Sequence, residues 1–225
     1  MILRCYKTLA DNSQNLVSLI ISDIAIDDEE VAAQALKCLG FIIYHPSLVS
    51  TIPVLQAVVH ALDNPTGSLS TTYEAMQAVM KLAAQLSERM RESSHIWAPP
   101  ICRRLLSTDK RERDMSERCL LKIRPTIIPP PPSLSKALAE AMKLTLLTVM
   151  KDLLNQGLKI QTLQAWGWFI CLQGSHAMKY RHLTNDMLKI PEKTFSDHNP
   201  QVQIASLVAW EGLVDAFIDP ALSNF

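Results

Sequence analysis

The segment NPQVQIASLVAWEGLVDAF, residues 199–217, places apolar residues on a helical period but on two faces. Val202, Ala205, Ala209, Leu213 and Ala216 mark one face; Ile204, Leu207, Val208, Val214 and Phe217 mark another. A helix on the surface of a small globule shows a single apolar stripe, so both faces of this one are expected to be covered. The same combination of a polar start, a wide apolar run and a small residue within it recurs along the chain. It appears in DDEEVAAQALKCLGFIIY, LSTTYEAMQAVMKLAAQL, DKRERDMSERCLLKI and LKIQTLQAWGWFICLQG. With Ala35, Ala75, Ser116, Ala165 and Ala205 as register marks, successive segments lie 40, 41, 49 and 40 residues apart.

These spacings approach the roughly 40–47-residue period of HEAT and armadillo arrays. The longer third gap holds RPTIIPPPPS, and its consecutive prolines cannot continue a helix. A proline-rich inserted loop over residues 125–133 accounts for the added length. A second helical segment follows each of the first four marks: PSLVSTIPVLQAVVHAL, IWAPPICRRLLS, SLSKALAEAMKLTLLTVMKDLLNQG and RHLTNDMLKIPEKTF. Pro46 suits a first helical turn, and Gly157 suits a C-cap. Asp27 or Asp28, Ser70 and Asn199 suit N-caps, with Pro200 at the first helical position.

No stretch alternates apolar and polar residues between hairpin turns, so no strand pattern competes. The predicted fold is all-α, an α-solenoid of about five HEAT/armadillo-like helical hairpins forming a single array over residues 1–225. Each inner helix of a solenoid touches its own partner and the neighbouring repeats, which covers two faces. In this reading Ala165, Gly167, Ala205 and Gly212 permit close helix approach. Trp166, Trp168 and Trp210 fill space between layers in preference to forming a ligand box. The last repeat runs out in DPALSNF with no polar capping helix, so the chain reads as part of a longer array with exposed apolar surface at one or both ends.

Composition narrows the function classes. Of 225 residues 48% are hydrophobic, which argues against wholesale disorder, and the net charge of +0 advertises no global attraction to nucleic acid or membrane. No apolar run reaches the length of a membrane span, and MILRCYKTLADNSQ lacks the apolar core of a signal peptide. Cys5, Cys38, Cys102, Cys119 and Cys171 are scattered through helical patterns with no C-x-x-C pair. They read as small buried hydrophobes, free thiols in a reducing compartment. The histidines at 45, 60, 95, 176, 182 and 198 form no ligand or catalytic spacing, and neighbours in sequence such as Asp197 and His198 do not make a base and its orienter. Phosphate-binding glycine loops, zinc-protease and nucleophile-elbow motifs are absent from the sequence. The expectation is therefore a non-enzymatic chain with no catalytic residues, metal or cofactor, and no small-molecule substrate.

Two charged features remain. RRLLSTDKRERDMSERCLLKIR carries eight basic residues, Arg103, Arg104, Lys110, Arg111, Arg113, Arg118, Lys122 and Arg124, against four acidic ones, Asp109, Glu112, Asp114 and Glu117. Mixed charge on a helix forms a solvated face with i,i+4 pairs; an excess of basic residues also suits contact with DNA phosphates. Both readings stay open for this segment. KYRH at residues 179–182, with Lys189 and Lys193, is a weaker basic feature.

The C-terminal third also carries a resemblance. LQAW…F…L from Leu163 to Leu172, NDMLKIPEKTF from Asn185, and Q…A…AWEGLVDAF from Gln203 resemble the N-terminal helical-repeat region of the telomere-associated Rif proteins (Rap-interacting factor one and its relatives). AAQALKCLGFIIYHPSLVS, residues 32–50, is similar to that family's early repeats, and the wording looks like a plant member. The resemblance implies a nuclear, chromosome- and telomere-associated scaffold acting in telomere maintenance, replication timing and double-strand break repair. The implied partners are DNA and chromatin proteins, with no membrane. It also brings phosphatase recruitment into question, since no [RK]-V-x-F docking sequence is found. The alternative is a HEAT/armadillo adaptor for protein–protein contact unrelated to chromatin.

Overall fold

The computed structural model describes residues 13–42, 51–64, 67–174, 176 and 181–222. All regular structure among them is helical. They divide into two compact units: described residues within Met1–Ile101 and Asp114–Thr126, and those within Cys102–Arg113 and Ile127–Phe225. Pro46, Cys5 and His45 lie outside the described residues.

The first unit contains α1 (Ser13–Ile24), α2 (Glu29–Ile42), α3 (Thr51–Asp63), α4 (Leu69–Gln85) and the short α5 (Ser87–Glu92). It also holds most of α6 (Ser94–Arg104) and residues 114–126 of α7 (Lys110–Ile127). Helix α1 packs on α2 and α3, while α4 packs on α2 and α3. Two helical hairpins are thus stacked with α1 and α3 in one layer and α2 and α4 in the other. Local chemistry sets where the helices begin. The Asp28 carboxylate accepts from the amides of Glu30 (3.0 Å) and Val31 (3.1 Å), so it is the residue that caps α2. Helix α4 is capped by Ser68, whose Oγ accepts from the Thr71 amide at 3.1 Å. Ser70, the expected cap, lies inside the helix. Leu36, Leu39, Val58, Leu62, Met76, Val79 and Leu82 are buried between the layers, along with the marks Ala35 and Ala75.

The second unit runs through α8 (Pro132–Ala141), a π-helical stretch Met142–Leu146, α9 (Leu147–Asn155), α10 (Lys159–Gln173), α11 (Arg181–Phe195) and α12 (Pro200–Leu222). Helix α7 continues through Pro125 to Ile127 and α8 opens at Pro132, so the irregular connection occupies residues 128–131 rather than 125–133. Pro132 fits because a first helical turn needs no amide donor there. Gly157 ends α9 at φ +85, where the Leu158 amide reaches the Leu153 carbonyl (3.0 Å) and the Gly157 amide the Leu154 carbonyl (3.0 Å). That pair of bonds is a Schellman termination, and a Cβ would strain it. The Asn199 side chain caps α12 through the Gln201 amide (2.9 Å), with Pro200 as first helical residue.

Helix α10 is the centre of this unit and packs on α8, α9, α11 and α12. Leu163, Ala165, Trp166, Phe169, Ile170 and Leu172 are buried and share one half of its circumference, while Ile160, Gly167, Trp168 and Cys171 on the other half are half-buried. Trp166 has a second task. Pro191 lies inside α11 and has no amide hydrogen, so the Met187 carbonyl four residues back lacks its helical donor. The Trp166 indole N–H donates to that carbonyl at 3.0 Å. One turn on, the buried Ser206 hydroxyl of α12 donates to the Pro191 carbonyl (2.7 Å), and the Thr194 hydroxyl lies 3.2 Å from the Ser206 hydroxyl.

Several expectations change here. Ala165 is buried, but Ala205 is only half-buried; Val202, Ser206 and Ala209 form the inward stripe of α12. A one-residue shift on a helix rotates a side chain by about 100°, and the hydroxyl network at Ser206 holds this register. Gly167 and Gly212 do not serve close approach, because a Cβ at either would meet nothing within 4 Å. Trp168 and Trp210 are half-buried rather than enclosed. The second face of α12 is open: Ile204, Leu207, Val208 and Val214 are 53%, 52%, 61% and 47% exposed. The side chains of Ala216 and Phe217 lie outside the described ones.

Candidate nucleic-acid interface

The eight basic residues singled out between Arg103 and Arg124 do not act as one group. Arg104, Arg111 and Arg113 have partners within the corner between α6 and α7. Arg104 forms a largely buried ion pair with Glu112 at 2.7 Å. Asp109 caps α7 by accepting from the Arg111 amide at 2.8 Å and pairs with the Arg111 guanidinium at 3.0 Å. The Arg111 side-chain hydrogen bond, followed by its backbone amide, holds the Asp109 carboxyl below its usual range. The Arg113 guanidinium donates to the carbonyls of Ser107 (2.7 Å) and Thr108 (2.9 Å), closing the turn. Carbonyls and carboxylates of the chain itself therefore partner these three cations, with the Arg111 side chain still 75% exposed. Arg103, Lys110 and Arg124 are exposed.

Arg118 and Lys122 differ. They stand one turn apart on the part of α7 that belongs to the first unit, both exposed. With Lys81, Gln77 and Ala84 of α4 they line a groove of about 360 Å³, and none of its lining residues is acidic. The Lys81 ammonium also lies 5.5 Å from the centroid of the Phe41 ring, within reach of a cation–π attraction. Gly40 makes this position available, because a Cβ there would fall 2.7 Å from the Lys81 ammonium. Elements α4 and α7 thus present three cations along one groove whose lining includes Met80 and Ala84. The arrangement can attract a run of phosphates but offers no side chain placed for proton transfer or nucleophilic attack.

Lys81 is absent from the basic segment that the sequence singles out. It is a lone lysine in an apolar run, and only the packing of α4 near α7 joins it to residues some forty positions later. No group of three or more His, Cys, Asp or Glu suited to a metal occurs among the described residues. Cys38, Cys102 and Cys119 are buried free thiols and Cys171 is a half-buried one. Burial pushes the Cys119 thiol up to about 12, so it is not a nucleophile. No helix among the described residues is long and apolar enough to cross a membrane.

Comparison with known proteins places these features in context. The family model described as "Rap1-interacting factor 1 N terminal" matches residues 53–224. The chain is 20% identical over 211 residues to "Telomere-associated protein RIF1" of Mus musculus, covering 92% of this chain and 9% of that protein. The protein of the same name from Gallus gallus is 22% identical over 171 residues, covering 76% of this chain and 7% of the relative. For Homo sapiens the identity is 19% over 211 residues, with 92% and 8% covered. The chain therefore spans less than a tenth of the length of these relatives. Among solved structures, the N-terminal domain of MAST/Orbit superposes with a TM-score of 0.52 at 16% identity, over 88% of this chain and 82% of that one. That likeness concerns the helical-repeat fold alone.

Proposed function

Because the chain belongs to the Rap1-interacting factor 1 N-terminal family, we propose that it is a non-enzymatic, nuclear, telomere-associated scaffold that holds DNA by its phosphates and carries chromatin proteins on its other surfaces. In this reading it serves telomere maintenance, replication timing and double-strand break repair as one array of a longer helical-repeat assembly. The observation that carries the DNA contact is the groove between α4 and α7, where Lys81, Arg118 and Lys122 meet with no carboxylate among the lining residues. At a cation already paired inside the chain a phosphate must first displace the resident carboxylate, whereas no carboxylate lines the groove at these three. Arg103, Lys110 and Arg124 add exposed positive charge along the same sequence. The cations of this groove are placed for phosphates, so the contacts are to the backbone and largely indifferent to sequence.

Fluorescence anisotropy on duplex DNA across a salt series tests this. Replacing Lys81, Arg118 and Lys122 together by Gln should weaken binding and lower the salt slope by roughly 0.9 for each phosphate no longer neutralised. Replacing Arg111 and Arg113 should instead loosen the α6–α7 corner. A folded triple variant with the parent's affinity and slope would return the groove to a solvated face and leave an adaptor unrelated to chromatin. The distribution of a tagged chain between nucleus and cytosol is the companion measurement.

A further inference from the structure

The weaker basic feature of the sequence, around Lys189 and Lys193, acquires a setting in the second unit. Lys189 and Lys193 stand one turn apart on α11 and face Lys151 of α9 and Lys159 at the start of α10. The four ammonium-bearing side chains line one concavity of about 490 Å³ whose floor includes Leu154 and Ile190. One carboxylate already sits among them: Asp186 lies 2.8 Å from the Lys189 ammonium and 3.9 Å from that of Lys151. Asp197 pairs with Lys159, and Glu192 acts on Lys189 from the rim. Lys193 is exposed and has no carboxylate partner among the described residues. Four lysines against Asp186 and Asp197 leave a surplus of two positive charges, or one if Glu192 is included. Helix α10 adds to this field, for it opens at Lys159 with no side-chain cap and no acidic residue in its first turn.

We propose that this concavity binds a compact polyphosphate, several phosphate groups carried on one small saturated ring as in an inositol polyphosphate. Lysine binds phosphate as a point charge from any direction, and the cations of the site are all lysines, which impose no bidentate geometry on the anion. Its volume falls in the range of a small-molecule site rather than of an extended chain. The apolar floor suits the C–H face of a saturated ring. No aromatic side chain lines the site, so it offers no stacking for a nucleotide base or for single-stranded nucleic acid. Asp186 is the resident anion, and a ligand with several phosphates outcompetes it by contacting Lys151, Lys189 and Lys193 together. This site is separate from the DNA groove and shares no residue with it.

Isothermal titration of the full chain with inositol hexakisphosphate tests the proposal. The expected result is one site, weakened at least tenfold by Lys189→Ala with Lys193→Ala and untouched by Arg118→Gln with Lys122→Gln. Asp186→Asn removes the internal competitor and should tighten binding several-fold, an effect that a loss of folding cannot produce. Flotation with phosphatidylcholine vesicles, with and without phosphatidylinositol bisphosphate, separates a lipid headgroup from the free ligand. Binding to the doped vesicles assigns the headgroup, and titration without flotation assigns the soluble polyphosphate. No heat of binding overturns the proposal, as does affinity unchanged in the lysine variant or unimproved by Asp186→Asn. Equal weakening by the Arg118 and Lys122 variant overturns it as well, since it would reveal nonspecific charge attraction.

Discussion

The bond from Trp166 to the Met187 carbonyl gives a quantitative handle on the second unit. Trp166→Phe keeps an aromatic ring in the α10 core but removes the donor that Pro191 makes necessary. The Met187 carbonyl is then buried without a partner, a cost of about 1–3 kcal/mol. The smaller ring leaves on the order of 40 Å³ unfilled, adding roughly 1 kcal/mol at about 24 cal/mol per Å³. The expected loss is about 2–4 kcal/mol, read as a lowered midpoint in urea unfolding followed by far-ultraviolet circular dichroism. Pro191→Ala supplies the missing check. It restores an amide hydrogen four residues after Met187, at the position where a regular helix would donate. Alone it should cost about 0.4–1 kcal/mol, because proline restricts the unfolded chain. In the Trp166→Phe background the new amide should take over the orphaned carbonyl, so the double variant should be more stable than additivity predicts by about 1 kcal/mol. An additive cycle, or a Trp166→Phe protein within about 0.5 kcal/mol of the parent, would refute the reasoning and leave Trp166 as packing only.

Ala165→Leu should overpack α10 and cost about 1–3 kcal/mol, whereas Ala205→Leu, half-buried, should cost clearly less; equal melting temperatures for the two would contradict the register of α12. Asp28→Ala should remove the α2 cap at about 1 kcal/mol, while Asp27→Ala should be near neutral, both measured by thermal melts. The Cys119 thiol, pushed up to about 12 by burial, stays protonated in the folded chain while the unfolded thiol ionises near 9. The unfolded state then binds fewer protons, so this group's stabilisation is fully present below pH 9 and declines by about 1.4 kcal/mol per pH unit between there and 12. Cys119→Ala should remove that part of the alkaline slope in urea unfolding at stepped pH. All five thiols should react in the unfolded, non-reduced protein, and fewer would reveal a disulfide.

The pattern of the chain was sufficient for the helical class, for the marked segments, and for much of the capping. Helical period, proline, and Asp, Asn and Gly at helix ends act within a few residues of backbone, so Asp28, Asn199, Pro200 and Gly157 could be read locally. The two apolar faces of residues 199–217 were equally legible, but not which of them is covered. That depends on what packs beside α12, and α10 and α11 cover only the stripe of Val202, Ser206 and Ala209. Ser70 gave way to Ser68 because a cap is chosen by which hydroxyl meets the free amide, and neighbouring serines offer the same composition. The basic segment was visible as charge, while its division into structural and open cations was not. Whether an arginine is spent depends on carbonyls and carboxylates that the α6–α7 corner brings within 3 Å, as at Arg104 and Arg113. Lys81 beside Arg118 and Lys122, and Lys151 and Lys159 beside Lys189 and Lys193, are pairings across helices. Charge interactions fall off with distance in space, not in sequence, so only the packing of the helices could assemble either groove.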